Sequence, residues 1–315
     1  MSQPKILVTG ANGQIGQVLT LALRKKFGWN NVLATDIQKQ PIENEPYDFL
    51  DILNTTRMKE IIEDHQITQI YHLAALLSAS GEINPGKTWN INLNGFMSVM
   101  DMAVEMEIDR IFFPSTIAVF GKTTPKVNTP QNCSLIPETV YGISKVSGEL
   151  LANYYFNRYG LDTRSIRYPG IISHQSLPSG GTTDYAVEIY YHAKKYGHYE
   201  CFLGPDTKLP MMYIDDAIKA TIDLMDASKE DILTRTSYNI AAMSFTPEEI
   251  AASIRQHIPE FKITYKPDFR QEIAASWTES INDSVARKEW GWQHDYDLDK
   301  MTETMLREVD VNKID

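Results

Sequence analysis

The sequence predicts an α/β protein, a doubly wound parallel sheet followed by a smaller C-terminal α+β lobe. Three observations carry the prediction. Short apolar runs alternate with helix-spaced segments through the first half of the chain, the pattern of parallel strands covered by helices on both faces. A glycine-rich turn joins the first of these strands to the first helix. After Pro169-Gly170 the rhythm breaks, and Gly, Pro, Ser and Thr crowd residues 173–183, which reads as a loop over the carboxyl edge of the sheet.

The elements follow in order. Residues 5–9 form a short apolar strand, and 16–27 carry Val18, Leu19, Leu21, Ala22 and Leu23 at helical spacing. Residues 31–36 give a second strand, 55–65 a helix with one polar face, and 69–75 a third strand with a helix after it. Residues 88–106 read as one long helix with apolar side chains on more than one side. A strand at 110–115, a long helix at 141–159 and a strand at 163–168 complete the alternation. A helix at 184–196 follows the loop. From Ser244 onward the lobe has a helix at 247–257 and a strand at 261–265. The expected division is a cofactor-binding domain of residues 1–172 with roughly 212–242, and a substrate-binding lobe of 173–211 with 243–315. Such a lobe belongs beyond the carboxyl ends of the strands, where open α/β sheets bind ligands.

Composition removes several functional classes. The chain has 315 residues, 43% hydrophobic and 23% charged, which fits an ordinary globular protein rather than a disordered one. No apolar run is long enough to span a bilayer. A net charge of −11 is the wrong sign for a nucleic-acid binder. The two cysteines, Cys133 and Cys201, have no metal-site spacing and read as reduced thiols; no metal is expected. The chain enters its first strand at once, without a basic start and a long apolar stretch, so no signal peptide is expected. The expected location is the cytoplasm, or the mitochondrial matrix if a leader has been removed.

The turn Thr9-Gly10-Ala11-Asn12-Gly13-Gln14-Ile15-Gly16 sets glycines three apart where strand becomes helix. Glycine permits the tight turn, lets a pyrophosphate approach the backbone and packs helix against strand, while the helix start offers N–H groups and a positive dipole end. Gly10, Asn12, Gly13, Gln14, Ile15 and Gly16 are thus expected to hold a dinucleotide. Packing alone is the plainer reading of such glycines, and Asp36 decides between the two. It ends the second strand, where a carboxylate would accept from the adenine-ribose hydroxyls and repel a 2′-phosphate. NAD is therefore expected rather than NADP. Asp51 and Ile52 fall where the adenine would lie, and Leu73-Ala74-Ala75 offer small side chains beside the cofactor.

Tyr141-Gly142-Ile143-Ser144-Lys145 opens a helix. Residues four apart share a helix face, so phenol and ammonium project together. A free tyrosine, with a pKa of about 10, is a weak base near neutrality. A neighbouring cation is expected to lower that value and suit Tyr141 to moving an alcohol proton. Thr116, just past the strand at 110–115, is expected to bind the same substrate oxygen. A bare Tyr-x-x-x-Lys is usually only a helix face; its weight comes from following the glycine turn and Ser115-Thr116 in this order.

These segments, together with Phe113-Pro114-Ser115-Thr116 and Arg167-Tyr168-Pro169-Gly170, resemble the extended short-chain dehydrogenases/reductases over nearly the whole chain. The resemblance implies a Rossmann domain, bound NAD and a Thr116-Tyr141-Lys145 triad in which Lys145 also binds the nicotinamide ribose. Asn92, Tyr168 and Ile171 complete the expected cofactor contacts. Many members carry Ser where Thr116 stands, and both supply a hydroxyl.

Members acting on nucleotide sugars typically have an Arg-Asp pair where this chain has Leu209-Pro210, and leucine cannot pair with a diphosphate. Segments 179–187, 197–199, 209–213, 275–277 and 287–292 instead resemble the branch that oxidises L-threonine at its 3-hydroxyl. That implies L-2-amino-3-oxobutanoate and NADH as products. Ser80, Thr182 and Thr183 are then expected at the substrate carboxylate, Asp184 at its ammonium and Trp277 over the pocket. The plainer readings are a turn at 180–183, an N-cap at Asp184 and lobe core at Trp277. The family also implies a homodimer, joined as four helices through 88–106 and 141–159. The competing readings are a nucleotide-sugar epimerase or dehydratase and a non-catalytic NAD-binding sensor.

Overall fold

The computed structural model describes residues 3–38, 45–177 and 181–314, excluding the side chains of Ala79 and Ser80. The chain divides into two compact units. The first comprises Met1–Thr116, Thr139–Arg167 and Ile218–Tyr238, and the second Ile117–Glu138, Tyr168–Ala217 and Asn239–Asp315.

The first unit is built on β1 (Ile6–Thr9), β2 (Val32–Asp36), β3 (Tyr47–Phe49), β4 (Gln69–His72), β5 (Arg110–Thr116) and β6 (Asp162–Tyr168). They lie in the order β3-β2-β1-β4-β5-β6, with a short further strand beyond β6. The pairs β1–β2, β1–β4, β2–β3 and β4–β5 are parallel. Ile6, Leu7 and Val8 are fully buried, as continuous apolar strands are when helices cover both faces. Strand order reverses between β1 and β4, and a crevice is expected at that switch point.

Helices α1 (Gln14–Phe27) and α2 (Thr55–His65) follow β1 and β3. The Asn54 side chain caps α2 by accepting from Arg57 N at 3.0 Å, a contact worth about 1 kcal/mol. The expected single helix over 88–106 is broken into three pieces: α4 (Pro85–Trp89), a π-helical turn (Asn90–Gly95) and α5 (Phe96–Glu105), all preceded by α3 (Ser78–Ile83). Gly95 is where this run passes Ile52; a Cβ there would lie 2.7 Å from Ile52 Cδ1. β3 is a strand that the sequence pattern did not reveal, three residues long and only partly buried.

Helix α6 (Val140–Tyr159) is capped by Thr139, which accepts from Gly142 N at 3.1 Å, and ends at Gly160 in the left-handed conformation. Its approach to β5 depends on Gly148, where a Cβ would stand 2.5 Å from the Phe113 ring. The Phe113 ring also stacks on Phe96 at 4.2 Å. This packing fixes the height of α6 over β5.

In the second unit β7 (Gly170–Ile172), β9 (Leu209–Tyr213) and β11 (Met243–Phe245) make a three-stranded sheet. β9 lies at its centre, parallel to β7 and antiparallel to β11. β8 (His198–Cys201) pairs in parallel with β12 (Lys262–Tyr265). The helices are α7 (Tyr185–Tyr196), α9 (Pro247–His257), α10 (Arg270–Ser276), α11 (Ser284–Trp290) and α12 (Leu298–Glu308). α8 (Ile214–Asp226) runs from this unit into the first, which β10 (Tyr238–Asn239) closes. Residues 117–138, placed with the cofactor domain from the sequence, group with this unit. Thr129 N donates to Ser280 O at 2.9 Å and Asn282 N to Thr129 O at 3.0 Å, so the segment is stitched to 280–282. Trp292 is buried, its ring N–H donating to Ala241 O at 3.2 Å.

Candidate active site

The switch point holds a cavity of about 600 Å³. Its walls include Gly10, Asn12, Gly13, Asp36, Asp51, Ile52, Leu73, Ala74 and Ala75, all of them expected cofactor residues. Gly10 adopts φ +70°, and a Cβ on it would lie 2.7 Å from Ala74 N. The turn therefore touches the chain leaving β4, and only glycine allows both conditions. A Cβ on Gly16 would stand 2.3 Å from Gly10 O, so its role is to close the helix onto the turn. Gly13 differs. A Cβ there would meet only Gly10 O, at 3.3 Å, so its bare face looks into open space.

These features fit NAD. No side chain caps the start of α1, leaving phosphate as the natural partner for its positive end. Gln14 and Ile15 sit in that first turn. Asp36 is held at the cavity wall by two backbone donors, Asn12 N to Oδ2 and Gln38 N to Oδ1, each at 3.0 Å. Asp51 Oδ1 likewise accepts from Leu53 N at 3.0 Å. Asn92 does not line the cavity. It is buried, with Oδ1 accepting from Leu76 N at 2.8 Å and Nδ2 donating to Leu76 O at 2.9 Å. Its part is to fix the backbone of Leu76, which does line it.

Sequence reasoning missed Lys87, Asn90 and Ile91, which also face the cavity. They reach it from α4 and the π-helical turn. The π-helical turn interrupts what the sequence reads as one 3.6-residue repeat, and apolar spacing gives no sign of it. Lys87, a cation facing a crevice shaped for phosphates, was the available signal.

Thr116, Tyr141 and Lys145 come together at the end of β5 and the start of α6. Thr116 and Tyr141 share a side-chain hydrogen bond. Lys145 is buried, donates to Pro114 O at 2.8 Å, and holds Nζ 4.7 Å from the Phe113 ring centroid and 5.7 Å from that of Tyr141.

The electrostatics differ from the sequence expectation that Lys145 would lower the Tyr141 pKa. Burial pushes the Tyr141 phenol up to about 12, opposed by the Thr116 hydrogen bond. Burial also pushes Lys145 down to about 7, opposed by the charge of Glu149. A lysine that is half neutral near neutrality is a weaker electrostatic partner than the full cation assumed from sequence. His72, one strand away, is structural. Its Nδ1 lies 2.9 Å from Thr9 Oγ1, and burial with the Lys145 charge pushes it down to about 3, so it is uncharged at neutral pH.

The other expected residues lie in the second unit. Tyr168 is buried and Ile171 lies on β7. Thr183 packs its Cγ2 where a Gly170 Cβ would be, at 2.8 Å. The buried Thr182 hydroxyl has no hydrogen-bond partner among the described residues. Asp184 Oδ2 accepts from Gly181 N at 2.7 Å, which ties the turn before α7. Trp277 lines a second cavity, of about 370 Å³, and its carbonyl accepts from Lys126 Nζ at 2.7 Å. The Ser80 side chain lies outside the described residues. Among the described residues no cluster of His, Cys, Asp and Glu is arranged to hold a metal ion. Nor is any helix among them long and apolar enough to cross a membrane.

The chain is similar to several known proteins. The bovine (Bos taurus) mitochondrial L-threonine 3-dehydrogenase is 50% identical over 308 residues, covering 96% of this chain and 82% of its own. The holo form of a GalE-like L-threonine dehydrogenase from Cupriavidus necator superposes with a TM-score of 0.95 at 48% identity, covering 96% of this chain and 99% of that one. A monomeric L-threonine 3-dehydrogenase in its apo form, from a metagenome, gives 0.93 at 48% identity, covering 96% and 97%. Residues 6–241 match the model of the NAD dependent epimerase/dehydratase family, and the chain belongs to that family.

Proposed function

We propose that this protein oxidises the 3-hydroxyl of L-threonine with NAD, yielding L-2-amino-3-oxobutanoate and NADH. The observation that carries the reading is the hydrogen-bonded Thr116–Tyr141 pair with Lys145 beside it, in a chain about half identical to threonine dehydrogenases. Bound NAD supplies the hydride acceptor and, when oxidised, a positive ring that favours a nearby phenolate. Tyr141 takes the proton of the 3-hydroxyl as the C3–H bond gives up its electron pair as hydride and the C=O bond forms. Thr116 orients the oxygen, and Lys145 supports the phenolate and holds the nicotinamide ribose. The β-keto acid then loses carbon dioxide unaided.

The first unit is assigned to NAD and the second to substrate. Thr182, Thr183 and Asp184 are assigned to the zwitterionic end of threonine, supported by the buried Thr182 hydroxyl, which has no hydrogen-bond partner among the described residues. Ser80 and Trp277 retain the assignments made from the sequence. A nucleotide sugar is disfavoured because Leu209 and Pro210 are buried in β9 and offer no charge to a diphosphate. The test is NADH absorbance with NAD and either L-threonine or UDP-glucose. Threonine-dependent NADH is expected, with Thr183→Ala raising the KM for threonine and leaving NAD affinity intact. Intact NAD binding without threonine turnover would return the question to other alcohols and to sugar nucleotides.

We also propose a homodimer. Ile143, Leu150 and Tyr154 on α6 are 43%, 61% and 51% exposed, and Met97 on α5 is 38% exposed, leaving apolar surface on both helices of the expected four-helix contact. Light scattering should give twice the chain mass; the mass of a single chain across a wide concentration range would remove this assignment.

A further inference from the structure

Beneath the Tyr141–Lys145 pair lies a buried charged cluster that the proposed reaction does not use. Glu149 stands one turn beyond Lys145 on α6. Its Oε1 accepts from Ser115 Oγ at 2.5 Å and from Arg167 Nε at 2.9 Å, and its Oε2 accepts from Arg167 Nη2 at 2.7 Å. Ser115, Glu149 and Arg167 are 2%, 1% and 3% exposed. This two-pronged guanidinium–carboxylate geometry leaves the carboxylate little freedom. It ties α6 to β6 and to the end of β5, where Pro114 receives Lys145 and Thr116 meets Tyr141.

We propose that Glu149 is a positioning residue for the reaction. Fixed by Arg167 and Ser115, its carboxylate holds the Lys145 ammonium charged and in place, so that the proton shared by Lys145 and Tyr141 rests on lysine and leaves the phenol able to act as base. The proposal rests on the Tyr141 reading above.

The groups around Lys145 leave this part to Glu149. From β5 it meets the Pro114 carbonyl and the Phe113 ring, from β4 the uncharged His72, and from its own helix Tyr141 and Glu149. Arg167, on β6, is the cation behind Glu149. Glu149 is thus the negative group acting on Lys145, and it opposes the loss of charge that burial drives.

With Lys145 at about 7 and Tyr141 at about 12, the pair holds one proton through the range between. The reactive arrangement is phenolate with ammonium, a minor share of that one-proton state. On this plateau the share does not vary with pH; it depends on how well the ammonium is stabilised. Weakening the ammonium lowers the plateau and moves the midpoint of the rising limb to lower pH. On the acid side of the midpoint the two effects cancel, because Tyr141 there loses its proton beside a lysine that is already charged.

The experiment is the pH profile of kcat for threonine oxidation in the parent, Glu149→Gln, Arg167→Met and Tyr141→Phe. Glu149→Gln is expected to lower the alkaline plateau about tenfold and the midpoint by about one pH unit, leaving acid-side rates unchanged. Arg167→Met keeps the carboxylate and removes its counter-cation, so its midpoint moves the opposite way, upward. Melting curves identify a variant that has not folded; if Glu149→Gln fails, the direction of the Arg167→Met shift decides. A uniform drop at every pH with both midpoints unmoved overturns the proposal and makes the cluster a fold anchor. Tyr141→Phe that keeps the parental rate would instead bring down the reading of Tyr141 as base.

Discussion

Tyr141→Phe is expected to slow threonine-dependent NADH formation by about 10²–10⁴-fold, the range for removing a positioned general base. The substitution deletes one oxygen and keeps the ring, so the packing at the start of α6 is retained. The melting temperature and NAD affinity should therefore match the parent, and the KM for threonine should change far less than kcat. Such a split marks an interaction made mainly in the transition state. In the parent, kcat should rise with pH on the acid side and level off above about 7, where Lys145 gives up its proton, because proton removal needs the phenolate and burial holds that phenol up at about 12. Steady-state kinetics across pH tests both expectations. A variant that keeps more than about one hundredth of the parental rate would show that another group takes the proton, on the lower bound of that same range.

Much of this site is readable without coordinates, and the reason is locality. The glycine turn, Asp36 and the Tyr141–Lys145 spacing are each set within one strand–helix junction or one helix face. Short-range geometry fixes what such residues can do, so the walls of the cavity include Gly10, Gly13 and Asp36. Where the sequence pattern failed, the geometry was tertiary. Residues 88–106 keep an apolar, helix-like composition through the π-helical turn, so nothing local reports the turn or that Asn90 and Ile91, at its start, line the cavity. Asn92 is a polar residue at the right place to touch a cofactor, yet its amide is spent on Leu76.

The protonation states were the least legible part. A Tyr-x-x-x-Lys spacing says that two groups are neighbours. Burial, which moves both away from their charged forms, depends on Phe113, Gly148 and the surrounding core. At Lys145 the charge of Glu149 opposes burial, but desolvation is the larger effect there and on Tyr141, where the opposing group is the Thr116 hydroxyl rather than a neighbouring charge. The Glu149–Arg167 pair was equally hidden, since its members come from α6 and β6 and carry no shared motif.

Gly10→Ala is expected to cost the protein stability and cofactor together, whereas Gly13→Ala should cost cofactor alone. At Gly10 the backbone has φ +70°, a conformation that costs a residue with a Cβ about 1–2 kcal/mol. The added atom would also press to 2.7 Å from Ala74 N and 2.9 Å from Leu73 C. Neither neighbour is the end of a flexible side chain, so relief requires β1 and the chain after β4 to part. We expect a combined loss of about 3 kcal/mol or more, at the upper end for single substitutions, and no measurable NAD affinity. At Gly13 the φ is −72°, and the new methyl group meets only Gly10 O at 3.3 Å. Its cost falls on whatever occupies the space in front of the turn. Melting temperature and NAD titration on the two variants separate these effects. If Gly13→Ala binds NAD as the parent does, the pyrophosphate does not lie against this turn. If Gly10→Ala melts with the parent, the close contact between the turn and the β4 exit is not part of the folded protein.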